Sequence, residues 1–298
     1  MKILHRGQIS APMQGKLNYN AWGSILTLSD GTMMSVWSGE RLAHICPFGK
    51  VLAARSSDGG YVWTPPYPVL VTPLDDRDAG LMQSGDTILL TSFNNSRDRQ
   101  RFYAERGKYP SPKREFVESY LDMVTDEDET RYLGATLAVS RDNGYTFTEP
   151  KPMPITSPHG PLVMPDGSIL CAIRVQNYTA GHSLFTVYLC RSTDGGATFS
   201  EPTKTGWDGS PPHILVTKSG TVIMTYARRR APFAECARVS YDSGVTWSEE
   251  IVLDDTAPTG DIGYPCTAEN ERGELVTIYY QHNPGEGSQI YSIIWTVD

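Results

Sequence analysis

Ser56-Ser57-Asp58-Gly59-Gly60-Tyr61-Val62-Trp63, Ser140-Arg141-Asp142-Asn143-Gly144-Tyr145-Thr146-Phe147, Ser192-Thr193-Asp194-Gly195-Gly196-Ala197-Thr198-Phe199 and Ser240-Tyr241-Asp242-Ser243-Gly244-Val245-Thr246-Trp247 are four copies of one pattern, Ser-x-Asp-x-Gly-x-(Thr/Val)-(Trp/Phe). Each copy predicts a tight hairpin. The Asp side chain accepts hydrogen bonds from amides of the turn, Gly takes a conformation closed to other residues, and the closing aromatic packs between neighbouring sheets. A strand-like run precedes every copy: 51–54, 135–139, 186–190 and 236–239.

A second repeat interleaves with the first. Short apolar strands flank a turn glycine at Gly31, Gly85, Gly167, Gly220 and Gly273, and these stand 54, 82, 53 and 53 residues apart. A unit of about fifty residues with four short strands is a β-propeller blade. The long interval marks an insertion. Between Asn94 and Leu133 the chain is highly charged, and Phe116, Val117, Tyr120, Leu121 and Val124 fall at helical spacing behind Ser111-Pro112. A second short helix is expected from Thr125, with Asp128 as its capping-box partner. The sequence thus predicts an all-β fold, one propeller domain over residues 1–298 with five four-stranded blades and a helical insertion at about 98–133. An N-terminal strand within Lys2–Ser10 is expected to pair with the last blade and close the ring.

Composition sets further limits. With 298 residues and 39% hydrophobic content the chain can bury one substantial core. The net charge of −8 argues against a nucleic-acid partner, which needs a basic face. The first residues lack the apolar core of a secretion signal, and nowhere do about eighteen apolar residues run together, so a cytoplasmic protein without a membrane partner is expected. Five cysteines without close spacing read as reduced thiols, and no His/Cys cluster has metal-ligand spacing; neither metal nor cofactor is expected. The oligomeric state is left open.

The eight-residue pattern resembles the Asp box of the sialidase superfamily, also called the bacterial neuraminidase repeat. Several segments are similar to sialidase-like bacterial proteins, among them Trp37-Ser38-Gly39-Glu40-Arg41, Leu74-Asp75-Asp76-Arg77-Asp78-Ala79-Gly80 and Asp261-Ile262-Gly263-Tyr264-Pro265. The resemblance implies a carbohydrate-active enzyme, an exo-acting glycoside hydrolase on the terminal, acidic sugar of a glycan. Sialidases hold the substrate carboxylate with three arginines and use a tyrosine nucleophile, an exception to the two-carboxylate scheme. Residue by residue, Tyr264 matches the tyrosine, Arg174 the second arginine, and Arg229 or Arg230 the third. Three positions depart from the pattern. The first-blade arginine is missing, so only Arg41 or Arg77 can bring a cation there; His44 stands where the catalytic aspartate belongs; and no glutamate approaches Pro165-Asp166-Gly167. Five blades are also one fewer than the six usual in sialidases, which leaves a lost blade or one disguised in the insertion.

Innermost propeller strands start around a central pocket. Asp78, His159, His213 and Tyr264 stand at or just before such starts, with Arg174 and Arg229 at matching strand ends. Arg228-Arg229-Arg230 alternates across a strand, so at most one of them faces a ligand. In this reading Tyr264 is nucleophile or base, its phenol pKa lowered by nearby cations or by proton transfer to Asp261, and His44 or Asp78 protonates the leaving oxygen. Arginines grip the substrate carboxylate. Two alternatives stay open: a polysaccharide lyase with a His/Tyr pair acting on uronates, and a non-catalytic glycan-binding propeller.

Overall fold

A computed structural model of the chain describes residues 1–10, 15–84, 86–107, 113–152, 162–174, 186–194, 198, 200–209 and 211–297. After β1 (Lys2–Gln8), four strands make the first blade: β2 (Tyr19–Thr27), β3 (Met33–Arg41), β4 (Lys50–Ser56) and β5 (Tyr67–Leu70). The second holds β6 (Arg77–Ser84), β7 (Thr87–Phe93), β8 (Ala135–Ser140) and β9 (Lys151–Pro152), with α1 (Arg97–Arg106), α2 (Lys113–Leu121) and α3 (Asp126–Tyr132) between β7 and β8. The third comprises β10 (Leu162–Val163), β11 (Ile169–Arg174), β12 (Thr186–Ser192) and β13 (Thr203–Asp208). In the fourth are β14 (His213–Val216), β15 (Val222–Arg228), β16 (Ala234–Ser240) and β17 (Ile251–Asp254). The fifth has β18 (Ile262–Glu269), β19 (Leu275–Asn283) and β20 (Gly287–Thr296), completed by β1, which runs antiparallel to β20 with Lys2 opposite Thr296. Strands within each blade pair antiparallel, and the described residues form a β-propeller of five four-stranded blades, the first and fifth joined into one eight-stranded sheet by a single parallel pairing of Tyr19 with Ser288. Among its described residues the insertion holds helices and no sixth blade.

Blade closure explains the unequal repeat numbers. The second repeat turns the first strand of a blade into its second; at Gly31, Gly167, Gly220 and Gly273 the same pair of backbone bonds closes the turn, with φ between 75° and 87°. Gly85 lies outside the described residues. The eight-residue repeat joins third strand to fourth, and the fifth blade takes its fourth strand from the chain's start, so only four copies exist.

Three of the four eight-residue turns also lock adjacent blades together. In the second blade Asp142 Oδ1 accepts from the Thr146 amide at 2.9 Å, and Ser140 Oγ accepts from the Gly144 amide at 2.9 Å. Asn143, before the glycine, has φ 60°. An arginine of the preceding blade then donates to a turn carbonyl: Arg55 to Asn143 O at 2.8 Å, Arg191 to Ser243 O at 2.5 Å, and Arg272 to Asp58 O at 2.9 Å. The closing aromatics follow the same geometry. Phe147 packs on the cluster of Met34, Val36, Ile88 and Leu90 between the first two blades, and Trp247 on that of Leu170, Val187, Met224 and Tyr226 between the third and fourth. Apolar area removed from water at these seams stabilises the ring at roughly 25 cal/mol per Å².

The insertion packs beside one face of the ring. Val117 and Leu121 of α2 and Ala104 of α1 meet Leu42 and Phe48. The expected capping box closes α3, Thr125 Oγ1 accepting from the Asp128 amide at 3.1 Å and Asp128 Oδ2 from the Thr125 amide at 2.8 Å. Ser111-Pro112, the expected helix start, lies outside the described residues. Helix α1 has little amphipathic pattern, which is why no periodicity announced it. It is tied down by polar contacts instead: Ser96 caps it, and Gln100 Nε2 donates to Asp75 Oδ2 at 2.9 Å.

Candidate active site

Three innermost strands carry the same backbone irregularity near their starts. Pairing slips between Ala21 and Ser24 in β2, between Arg77 and Gly80 in β6, and between Gly263 and Cys266 in β18. Within each slip one residue is left-handed: Trp22 with φ 55°, Asp78 with φ 52° and Tyr264 with φ 52°. Such a conformation costs a non-glycine residue about 1–3 kcal/mol and occurs where a bulge re-aims a side chain. Here it gathers the three side chains. Tyr264 donates its hydroxyl to Asp78 Oδ2 at 3.0 Å, and the Tyr264 and Trp22 rings stand edge to face with centroids 6.4 Å apart.

Trp22, 1% exposed, is the floor on which the rest is arranged. The Arg77 and Arg41 guanidinium carbons lie 4.0 and 4.7 Å from its centroid, and the His44 ring meets it edge-on at 4.8 Å. Asp75 holds both cations. Arg41 forks onto its two oxygens, each side chain having 0% exposure, and Arg77 Nη1 is 3.6 Å from Asp75 Oδ2. Arg77 Nε is also 3.6 Å from Asp78 Oδ1. Asp76 takes no part in this pairing. It accepts from the Thr72 amide at 2.7 Å, and burial pushes its carboxyl up to about 8.

A second group surrounds Asp261. Its carboxylate accepts from Tyr19 at 2.8 Å and from Tyr280 at 3.0 Å, with His44 Nδ1 at 3.3 Å and Arg229 Nη2 at 3.9 Å. Burial opposes its charge, but the hydrogen bonds from His44, Tyr19 and Tyr280 and the charge of a protonated His44 outweigh it and hold the pKa at about 2. Tyr19 Oη, which donates to Asp261, is 2.8 Å from His44 Nδ1. With the phenol proton committed, the network assigns the donor role to Nδ1–H and leaves Nε2 as an acceptor. Burial, foremost, and the charge of Arg77 lower the His44 pKa, against the pull of Asp261. At neutral pH the imidazole is therefore uncharged, and the phenols and Arg229 support the Asp261 anion.

Several expected residues meet here and others do not. Tyr264, Asp78, His44, Asp261, Arg77 and Arg229 share the neighbourhood of Trp22. Arg41 is close by, but its buried pairing with Asp75 and its bond to the His44 carbonyl at 3.2 Å leave it no reach to a ligand. Of the arginine run, Arg229 packs on Tyr280 and donates to Gly260 O at 3.3 Å, Arg228 turns to Glu250, and Arg230 is exposed. His213 starts β14 and its Nδ1 accepts from the Thr267 amide at 3.2 Å. It lines, with Ile25, Leu81, Ile214 and Cys266, an axial cavity of about 650 Å³ further along the same strands. His159 and the Arg174 side chain lie outside the described residues. The expected lowering of the Tyr264 pKa is reversed: burial and the negative charge of Asp78 raise it, against the pull of Arg77 and Arg229. Its partner is Asp78, not Asp261. Trp22, Tyr19, Asp75 and Tyr280 escaped the sequence reading. For Trp22 a signal existed, since it precedes Gly31 by the same nine residues that separate Tyr264 from Gly273.

Residues 124–278, just over half of the chain, match a family model described as BNR repeat-like domain. No curated protein matches the sequence. Among solved structures, a Dyadobacter fermentans protein of unknown function is similar with a TM-score of 0.71 at 19% identity, over 98% of each chain. A Bacteroides thetaiotaomicron endo-arabinase aligns over 98% of both chains with a TM-score of 0.54 at 13% identity. A Bacillus halodurans xylan β-1,4-xylosidase gives 0.56 at 13% identity, over 98% of this chain and 55% of the xylosidase. At such identities the likeness is one of fold.

Proposed function

The chain belongs to the BNR repeat-like domain family, and from that premise we propose that it is a carbohydrate-active enzyme, a glycoside hydrolase acting on the terminal sugar of a glycan. One observation carries the reading: two hydrogen-bonded couples, Tyr264–Asp78 and His44–Asp261, converge on one buried tryptophan at the starts of the inner strands. Left-handed backbone at Asp78 and Tyr264 supports it, because strain of that kind persists where geometry serves chemistry.

Each side chain has a role that its surroundings fit. Tyr264 is the nucleophile, and Asp78 takes its proton as the phenol oxygen bonds to the anomeric carbon; a phenol with a raised pKa needs such a base. His44, protonated, gives a proton to the leaving oxygen and then, neutral, takes one from the water that attacks the anomeric carbon, while Asp78 returns its proton to the departing Tyr264 oxygen. Asp261 fixes the His44 tautomer and stays ionised throughout, the part an aspartate plays in a serine-protease triad. A panel of aryl glycosides tests this. Tyr264→Phe should lower turnover by about 10²–10⁴-fold while circular dichroism stays unchanged, and undiminished turnover would remove the tyrosine from the reaction.

The lowered His44 pKa favours a second reading, a lyase in which neutral His44 abstracts the proton alpha to a uronate carboxylate. The two differ in product and in pH dependence. A lyase releases an unsaturated, ultraviolet-absorbing sugar and gains rate as His44 loses its proton; the hydrolase loses rate over the same interval.

A further inference from the structure

We propose that the sugar cleaved at Tyr264 and Asp78 is uncharged, a neutral pentose or hexose in place of a sialic or uronic acid. The inference rests on the enzymatic reading above and narrows it to a substrate class. It follows from how the charges around Trp22 are paired. Arg41 is spent on Asp75, Arg77 lies 3.6 Å from both Asp75 and Asp78, and Arg229 faces Asp261 at 3.9 Å. Among the described residues three guanidiniums meet three carboxylates, and His44, when protonated for the hydrolase, faces Asp261 too, with its Nδ1 3.3 Å from Oδ1.

Exposure tips the balance toward acceptors. Side-chain exposure is 30% for Asp261 and 11% for Asp78, against 0%, 7% and 13% for Arg41, Arg77 and Arg229. Among the described residues, an approaching carboxylate would meet these anions before it met Arg77 or Arg229. A sugar hydroxyl fits instead. Asp78 Oδ1 accepts no hydrogen bond and Arg77 Nε and Nη1 beside it donate none, although the two residues are only 8% and 6% exposed and the other Asp78 oxygen is engaged by Tyr264. A buried acceptor and buried donors left without partners are costly, and a hydroxyl, which both donates and accepts, serves the two together where a carboxylate can only accept. The balance is one of the described residues: the Arg174 side chain, the one lysine or arginine from residue 153 to residue 185, lies outside them.

The test compares 4-nitrophenyl glycosides of arabinose, xylose, glucose and galactose with those of glucuronic acid and sialic acid, using the full chain. At least one neutral glycoside should exceed both acidic ones by about 100-fold or more in kcat/KM, because like charges brought together cost several kcal/mol. Turnover confined to the acidic glycosides overturns the inference and leaves the hydrolase reading standing. If none turns over, titration calorimetry with the free sugars decides. Binding of a neutral sugar without glucuronic or sialic acid upholds the neutral site and sinks the enzyme, whereas binding of the acids alone, or of none, overturns the inference.

Discussion

Replacing Asp75 with Asn tests the polar core beneath the candidate site. Asp75 and Arg41 are both 0% exposed, and Asp75 also accepts from Gln100 at 2.9 Å. Taking the charge from one partner leaves the guanidinium buried without its counter-ion, which costs about 3–5 kcal/mol. Asn keeps one acceptor oxygen, and the Trp22 ring 4.7 Å from Arg41 Cζ attracts the cation in either variant, so the lower end applies, about 3 kcal/mol. At about 2 °C of melting temperature per kcal/mol, suited to a chain of this size, the loss is roughly 6 °C. Thermal melting and urea titration followed by tryptophan fluorescence measure it. The double variant Arg41→Met with Asp75→Leu should recover most of the loss, because exchanging a whole buried pair for apolar side chains is often neutral. A fall below about 1 kcal/mol in Asp75→Asn would mean that water reaches the pair and would refute this account of the site's foundation.

Other outcomes follow from the same geometry. In the hydrolase, kcat/KM should fall as pH rises through a value below the usual histidine pKa of about 6.5, because the leaving-group acid is His44 in its protonated form. Asp261→Asn removes a partner that raises the His44 pKa, so this alkaline limb should move to still lower pH; an unmoved limb in a pH–rate profile would separate His44 from the chemistry. The turn carboxylates Asp142, Asp194 and Asp242 are held at about 2 by bonds from their turn threonines and serines. Against an unfolded value of about 3.9, each contributes stability that is complete above about pH 4 and lost as pH falls toward 2. Asp142→Asn should therefore flatten the acid-unfolding curve over that interval, and an unchanged slope would count against the turn bonds.

The fold was legible because its repeats are made of turn chemistry, and turn chemistry is local. Gly31, Gly167, Gly220 and Gly273 mark one bend each, and Asp58, Asp142, Asp194 and Asp242 another, without help from distant residues. The site was legible only in part because its logic is non-local. Arg41 and Arg77 look alike in sequence as spare cations; only Asp75, brought between them by the loop before β6 and steadied by Gln100 from the insertion, shows that Arg41 is forked onto a buried carboxylate while Arg77 is held more loosely at 3.6 Å. Tyr264 was found by resemblance, yet its partner was misassigned, since Asp78 stands 186 residues away and nothing local ties the two. The arginines that clasp the repeat turns reach into the next blade and leave no mark in the repeat itself.

The arrival of β1 in the fifth blade has a topological consequence. With Lys2 beside Thr296, and Arg6 reaching Asp254 of the fourth blade at 2.7 Å, the two chain ends share one wall of the ring. A short linker can join them, and the backbone can be cut in a loop between blades, such as at the exposed Pro258 between β17 and β18, to give a circular permutant with every sheet unchanged. Where the polypeptide starts is thus a matter of wiring, whereas without β1 the native order leaves β20 a bare edge open to pairing with another molecule.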